Sequence, residues 1–311
     1  MAYRRSWFHT LTTRGGARRH RSAVLISTAG VLGTMFSVAA AGAGTTAVAV
    51  APAFSHAPRV AVPVPRGVHE TWASSNWSGY AETGTYTGVT STWTVPSVSA
   101  SSTNTFSSVW VGVDGFNNSN LIQTGTEEDW YNGSAHYNAW WEILPAAETA
   151  LPSGYAVAPG DRMSASIYKT TATALVSRHR LAHYWWINIS DAGHWNFSTY
   201  QLYTGPGTSA EWVVEAPQVN GRIATLAHYA FNGVGTTVGD FDNAGVYTGQ
   251  VAGGTATPPP APPLLSAALT ASESGVMVQN NVQVSTPSTP DSARTAFNAA
   301  YGASAPAAPS S

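Results

Sequence analysis

Between residues 71 and 250, apolar and polar residues alternate in short runs separated by Gly, Asn, Pro and Ser. Examples are residues 90–95 (TSTWTV), 109–113 (VWVGV), 137–143 (YNAWWEI), 163–168 (MSASIY), 184–189 (YWWINI) and 211–215 (EWVVE). A period of two is that of strands, whose successive side chains point to opposite faces. Many short strands with turn residues between them predict an all-β chain built as a β-sandwich or jelly roll. Only residues 292–301 hint at a helical period. The proline-rich run at 258–263 (PPPAPP) is excluded from any central strand, because proline cannot donate to the ladder. The apolar stretch after it, from Gly275, reads as one more strand, which favours one domain with a long loop over two domains.

The same period assigns side chains to faces. In the 109–114 run, three valines share one face, and Trp110, Gly112 and Asp114 share the other. In the 137–143 run, Asn138, Trp140 and Glu142 oppose Tyr137, Ala139, Trp141 and Ile143. In the 211–215 run, Glu211, Val213 and Glu215 oppose Trp212 and Val214, and in the next segment Gln123 shares a face with Leu121. Several strands thus carry acids and tryptophans on one face and bulk apolar groups on the other. One such acid alone would read as ordinary surface; the repeated layout points to a polar groove floored by a sheet.

Composition adds direction. Charged residues make up only 10% of the 311, against 29 Gly, 12 Trp and 13 Tyr, a balance that suits strands better than helices. Six arginines lie within the first 21 residues. After residue 69 there are six basic residues and all sixteen acids, a net charge of 6 − 16 = −10. That balance excludes nucleic acid as a partner, since phosphate binding needs a basic face. It also suits an acidic working pH, where protonation relieves the self-repulsion. With no cysteine, thiolate metal sites, disulfides and a cysteine nucleophile are all excluded.

The arginine-rich start, followed by an apolar run at 23–41 and small residues, reads as an export signal over 1–43. The expectation is therefore a secreted protein that meets a membrane only through that signal. Residues 44–70, rich in Ala, Val and Pro, read as a linker or short propeptide. The folded part is expected over 71–287, with a flexible Ala-, Ser- and Pro-rich tail at 288–311.

Common catalytic signatures are missing: there is no H-E-x-x-H, no G-x-S-x-G and no P-loop. His179 and His183 on a strand would stand about 13 Å apart, too far to share a metal. Asp114, Glu127, Glu128 and Asp129 lack the spacing of a calcium loop. Neither metal nor cofactor is expected.

Five ordered motifs carry a resemblance. They are Ser75-Asn76-Trp77-Ser78-Gly79-Tyr80, Trp110-Val111-Gly112-Val113-Asp114-Gly115, Ile122-Gln123-Thr124-Gly125, Ala139-Trp140-Trp141-Glu142 and Ala210-Glu211-Trp212-Val213-Val214-Glu215. In this order and spacing the chain resembles the glutamic peptidases, or eqolisins. The resemblance implies a jelly-roll β-sandwich of two antiparallel sheets with a concave face that binds an extended peptide. It implies a catalytic pair, Gln123 and Glu215, with Trp77, Trp110, Asp114, Asp129, Trp140 and Glu142 as substrate-binding residues. Against fungal members the chain departs in three ways: Asn138 stands where they carry Asp, Thr126-Glu127-Glu128 lengthens the stretch before Asp129, and there are no cysteines.

On that resemblance the protein is a monomeric acid endopeptidase acting on polypeptides. Glu215 would activate water and Gln123 would donate to the oxyanion. Asp114 and Glu142 would raise one another's pKa by like-charge repulsion. The alternative is a carbohydrate-active sandwich, a glycanase or lectin, using Glu142, Glu215 and the tryptophans.

Overall fold

The alternating runs all form strands. The computed structural model describes residues 52–231, 240–253, 264–266, 269–270 and 273–310. The expected export signal, the first part of the 44–70 segment and the 258–263 proline run lie outside these residues. Val50–Ser311 make one compact unit. No α-helix occurs among the described residues.

Two large sheets carry most of the chain. The 11-stranded sheet runs in the order Thr149–Ala150, Ser134–Ile143, Ile122–Tyr131, Ser108–Val113, Ser209–Glu215, Trp77–Thr83, Ser274–Gln279, Val282–Pro287 and Ala299–Tyr301, with Ala61–Val62 and Trp72–Ser74 off this path. It is antiparallel except where Ser274–Gln279 meets Trp72–Ser74. The 6-stranded sheet runs Trp195–Tyr203, Arg180–Asp191, Arg162–Ser177, Gly88–Thr94, Phe241–Tyr247 and Leu264–Ser266.

The sheets pack through the apolar faces read from the sequence. Val109, Val111, Val113, Trp212 and Val214 of the larger sheet meet Val89, Trp93, Met163, Ile167, Trp185, Ile187 and Ile189 of the smaller. Each fully buried large side chain contributes about 1.5–3 kcal/mol. Tryptophan N–H groups must find acceptors inside, and they use them to tie the sheets: Trp212 donates to the Thr90 carbonyl at 3.0 Å and Trp93 to the Thr126 hydroxyl at 3.1 Å.

The opposite face of the larger sheet is covered as well. Trp72, Trp77, Ala81, Trp110, Leu121, Trp140 and Val213 form a second buried cluster there. Register on this sheet is pinned by a two-residue turn with positive φ at both positions, Asn132-Gly133, the conformation whose twist matches antiparallel strands; Asn220-Gly221 does the same in the small separate sheet of Phe54–Ser55, Gln218–Val219 and Arg222–Ile223. The pair Arg178-His179 likewise forms a tight connection, between Ser177 and Arg180. His179 therefore sits in a turn, not on a strand as the sequence reading placed it.

The end of the chain differs from the flexible tail expected at 288–311. Ala299–Tyr301 pairs with Val282–Pro287, and Phe297 is fully buried, stacked on Phe241 at 4.5 Å and tilted against Tyr80 at 4.7 Å. The Tyr80 hydroxyl donates to the Ser288 carbonyl at 2.7 Å. One buried aromatic and a strand edge outweigh the low-complexity composition around them. Phe297→Ala is expected to destabilise the protein by about 3–5 kcal/mol in urea unfolding; a loss below about 1 kcal/mol would mean that this residue leaves the core in solution.

Candidate active site

Strand register assembles the site in three rows across the second face. One row holds Glu142, Gln123, Gly112, Glu211 and Ala81. Four residues further along the strands, another holds Asn138, Glu127, Ser108, Glu215 and Trp77. Between them lie Trp140, Gly125, Trp110, Val213 and Gly79. Aromatic groups thus separate two carboxylate-bearing rows on a single pleated surface. Gly125 makes this arrangement possible: a Cβ there would stand 2.3 Å from the Val109 carbonyl oxygen and 2.4 Å from the Trp110 Cβ. The Val109 carbonyl and the Cα and Cβ of Trp110 take that space.

Trp110 Nε1 donates to Glu215 Oε2 at 2.7 Å, and Trp77 packs edge-on against Trp110 at 4.9 Å. Asn76 Nδ2 lies 3.4 Å from Glu215 Oε1. Gln123 Nε2 donates to Glu142 Oε2 at 2.7 Å, which leaves the Gln123 carbonyl oxygen buried without a hydrogen-bond partner. Gln123, Glu142 and Glu215 are all fully buried.

What buries them is the chain itself. Residues 53–62, expected as linker, run along this face. Phe54 and Ser55 pair with Val219 and Gln218, and Ala61 and Val62 pair with Ser74 and Ala73. Between these anchors the main chain crosses the carboxylates. The His56 N–H approaches both Glu142 oxygens, at 3.1 and 3.3 Å, and the Ala57 N–H lies 3.3 Å from Glu215 Oε1. Asn76 Nδ2 donates to the carbonyls of Ala57 and Pro58, each at 3.3 Å, while its Oδ1 accepts from the Val60 N–H at 2.8 Å. The His56 ring stacks on Trp140 at 3.8 Å, with Nδ1 3.0 Å from Glu215 Oε2 and Nε2 3.1 Å from Glu127 Oε1.

Burial dictates the ionisation of this cluster. For His56 burial alone disfavours the imidazolium, but Glu215, Glu127 and Glu148 outweigh it and hold the pKa well above the usual 6.5. Burial pushes Glu127 up to about 8 against the pull of His56, with Glu148 and Glu215 adding to the rise. Glu142 is pushed up to about 7, again by burial first; His56 opposes the rise and Glu215 adds to it. Glu128, Asp129 and Glu211 are also raised, chiefly by burial.

Most of the predicted site residues come together here: Gln123, Glu215, Trp77, Trp110, Trp140 and Glu142 share one buried patch. Asp114 does not join it. Its carboxylate accepts from Tyr203, Asn118, the N–H groups of Gly207 and Thr208, and the Thr208 hydroxyl, at 2.7 to 3.1 Å. With φ at +72°, Asp114 ties a turn to the 203–208 loop. The expected repulsion between Asp114 and Glu142 is accordingly not what raises Glu142. Asp129 lies farther along its strand, where its Oδ1 accepts from the Ser107 N–H at 3.3 Å. The acid that reaches the centre is Glu127.

Sequence reading missed His56, Asn76, Glu127 and Glu148 as site residues. Glu127 was detectable by parity, since it stands four residues from Gln123 on the same face. Asn76 lies inside a quoted motif. His56 carried no signal, because its role depends on where a low-complexity segment is laid in space. The ligand-type atoms of His56, Glu127 and Glu148 lie within 4.8 Å of one another, as do those of Asp161, Asp191 and His194. In the first set the imidazole ion pairs account for that closeness. The second is a loop in which His194 Nδ1 meets Asp191 at 2.5 Å.

These shifts fix the sign of a pH effect. A carboxyl whose pKa rises on folding binds more protons folded than unfolded between about pH 4.5 and its folded value, so stability falls over that window. His56, also raised, acts in the same direction: its contribution is complete below about 6.5 and is lost as pH rises through its folded pKa. With Glu142 at about 7 and Glu127 at about 8, the melting temperature is expected to fall steadily from pH 5 to pH 8. A flat or rising profile in differential scanning calorimetry would contradict the buried, protonated cluster.

Residues 75–253 match the model of the peptidase A4 family. Aspergillopepsin-2 of Aspergillus niger is 30% identical over 122 residues, which is 32% of this chain and 43% of that protein, so the match spans less than half the length of that curated relative. Two crystal structures of scytalido-glutamic peptidase, one with a transition state analog inhibitor and one with a peptide-based transition state analog, superpose with TM-scores of 0.53 and 0.51. Each is 21% identical in sequence, and each superposition covers 73% of this chain and 98% of that one. At that identity the likeness is one of fold, an all-β sandwich. Because the family match takes in more than half of the sequence and contains Gln123, Glu142 and Glu215, this chain belongs to the peptidase A4 family, the glutamic peptidases.

Proposed function

We propose that this protein is an exported acid endopeptidase in which Glu215 and Gln123 act on a peptide bond laid across the second face of the larger sheet. One observation carries the reading: a peptide main chain, that of His56 and Ala57, lies between the Gln123–Glu142 pair and Glu215, its N–H groups turned to the carboxylates. A face that holds its own backbone in this way suits an extended polypeptide substrate.

In this reading Glu215 removes a proton from water as the water oxygen attacks the carbonyl carbon of the substrate. Trp110 Nε1 orients the carboxylate at 2.7 Å. The Gln123 amide donates to the oxygen on which negative charge develops, in place of its present bond to Glu142. Collapse of the tetrahedral intermediate breaks the C–N bond, and the proton held on Glu215 passes to the leaving amine. Protonation of Glu142 and Glu127 below their raised pKa values of about 7 and about 8 limits like charge beside Glu215, which supports an acidic working range. Export is supported by the arginine-rich start and apolar run of the first 43 residues. A carbohydrate-active reading gives no role to Gln123 or to the donors that hold a peptide chain.

Gln123→Ala and Glu215→Gln are each expected to lower the rate of casein or haemoglobin digestion by about 10²–10³-fold or more between pH 2 and 6. Glu211→Gln is the control. It replaces a buried acid four residues from Glu215, whose pKa is raised chiefly by burial, and is expected to retain most of the activity. Near wild-type digestion by either of the first two variants would remove the pair from the mechanism, and release of reducing sugars instead of peptides would replace the reading.

A further inference from the structure

The pocket around the His56 ring has a chemistry that the proposed bond cleavage does not use. Trp140 forms its flat wall, and the carboxylates of Glu127 and Glu148 close its end, 3.1 and 3.6 Å from His56 Nε2. The side chains of Glu127 and Glu148 are 0% and 4% exposed. The imidazole does not satisfy them. Its Nε2 is at ion-pair distance but off the hydrogen-bonding line, so both Glu127 oxygens and Glu148 Oε2 are buried without a donor. Glu148 Oε1 has one partner, Asn138 Nδ2 at 3.4 Å. Three unmatched acceptors around one ring nitrogen suit a cation that carries several donors on a longer stem.

We infer that Glu127, Glu148 and the face of Trp140 form a specificity subsite for a cationic side chain of a bound peptide, and that His56 fills it in the intact chain as a substrate-like occupant. The inference rests on the reading of this face as a peptidase cleft and adds to it the class of substrate. Lysine offers three donors and arginine five, against one for the outer nitrogen of His56. Either would draw the Glu127 proton off and replace an unmatched buried acid with an ion pair, while its alkyl stem lies along the indole. An uncharged side chain of similar length leaves both Glu127 oxygens and Glu148 Oε2 without a donor, at the cost of desolvating them. The main-chain bonds from His56 and Ala57 are independent of side-chain identity. The pocket therefore selects among peptides that the cleft already holds.

The test separates binding from cleavage. Full-length protein carrying Gln123→Ala and His56→Ala is titrated calorimetrically at pH 5 with the octapeptide of residues 53–60 (AFSHAPRV) and with versions that place Lys, Arg, Met or Ala at its histidine. The Lys, Arg and His peptides are expected to bind about tenfold or more tighter than the Met and Ala peptides. Adding Glu127→Gln and Glu148→Gln is expected to level that difference. Should the double change unfold the protein, Glu148→Gln alone is expected to narrow the difference without abolishing binding. In the otherwise wild-type chain, His56→Ala should raise the initial rate on a small peptide substrate and His56→Lys should not. Equal affinities across the five peptides, or selectivity unchanged in the glutamine variants, would overturn the subsite. Selective binding without peptide cleavage by the Gln123-containing chain would instead count against the peptidase reading.

Discussion

A carboxylate removed from water must acquire a donor, a cation or a proton, and in this protein that constraint shapes everything around the cleft. Six acids of the second face and its edges are fully or almost fully buried: Asp114, Glu127, Asp129, Glu142, Glu211 and Glu215. The chain after residue 69 supplies six basic residues, and among the described residues no lysine or arginine forms an ion pair with these acids. Hydrogen-bond donors answer for some. Glu215 has Trp110, Asn76 and two groups of the 56–57 segment, and Asp114 has five donors from its turn and the facing loop. Protons answer for others, which is why burial is the leading cause of every raised carboxyl in the cluster. Among the described residues His56 is the one cationic group that enters, from the segment laid across this face.

The sandwich makes such a cluster possible by separating two kinds of interior. The space between the sheets is conventional core, filled by valines, isoleucines and tryptophans whose N–H groups find carbonyl and hydroxyl partners. The far side of the larger sheet is a second interior, in which tryptophans and acids alternate along the strands. Trp110 serves both ends of this design. Its Cα and Cβ press against Gly125, its ring packs on Trp77, and its nitrogen holds Glu215. The glycine of the Gln-Thr-Gly motif is therefore a packing requirement of this face, as well as a near neighbour of Gln123.

The covering segment links stability to function. Residues 53–62 are pinned at both ends by strand pairing and in the middle by Asn76, which grips three of their main-chain groups. Arg59 adds a contact over the Phe116 ring at 4.2 Å. Because these bonds are made mostly by main chain, the face that receives them is suited to other extended chains, and discrimination falls to the side-chain pocket beyond Trp140.

The sequence by itself determined the strand class, the face on which each residue of the central strands lies, and the company of Gln123, Glu142, Glu215 and the tryptophans. It could do so because a two-residue period is a local property, legible without knowing which strands are neighbours. Five ordered motifs supplied the family. Tertiary structure alone decided the rest. It turned Asp114 away to a loop, brought Glu127 rather than Asp129 to the centre, drew Phe297 from an unpromising tail into the core, and laid His56 among the carboxylates. Each of these depends on register between distant strands or on the path of a segment without periodicity. Local pattern says which way a side chain points, and only the assembled fold says what it meets there.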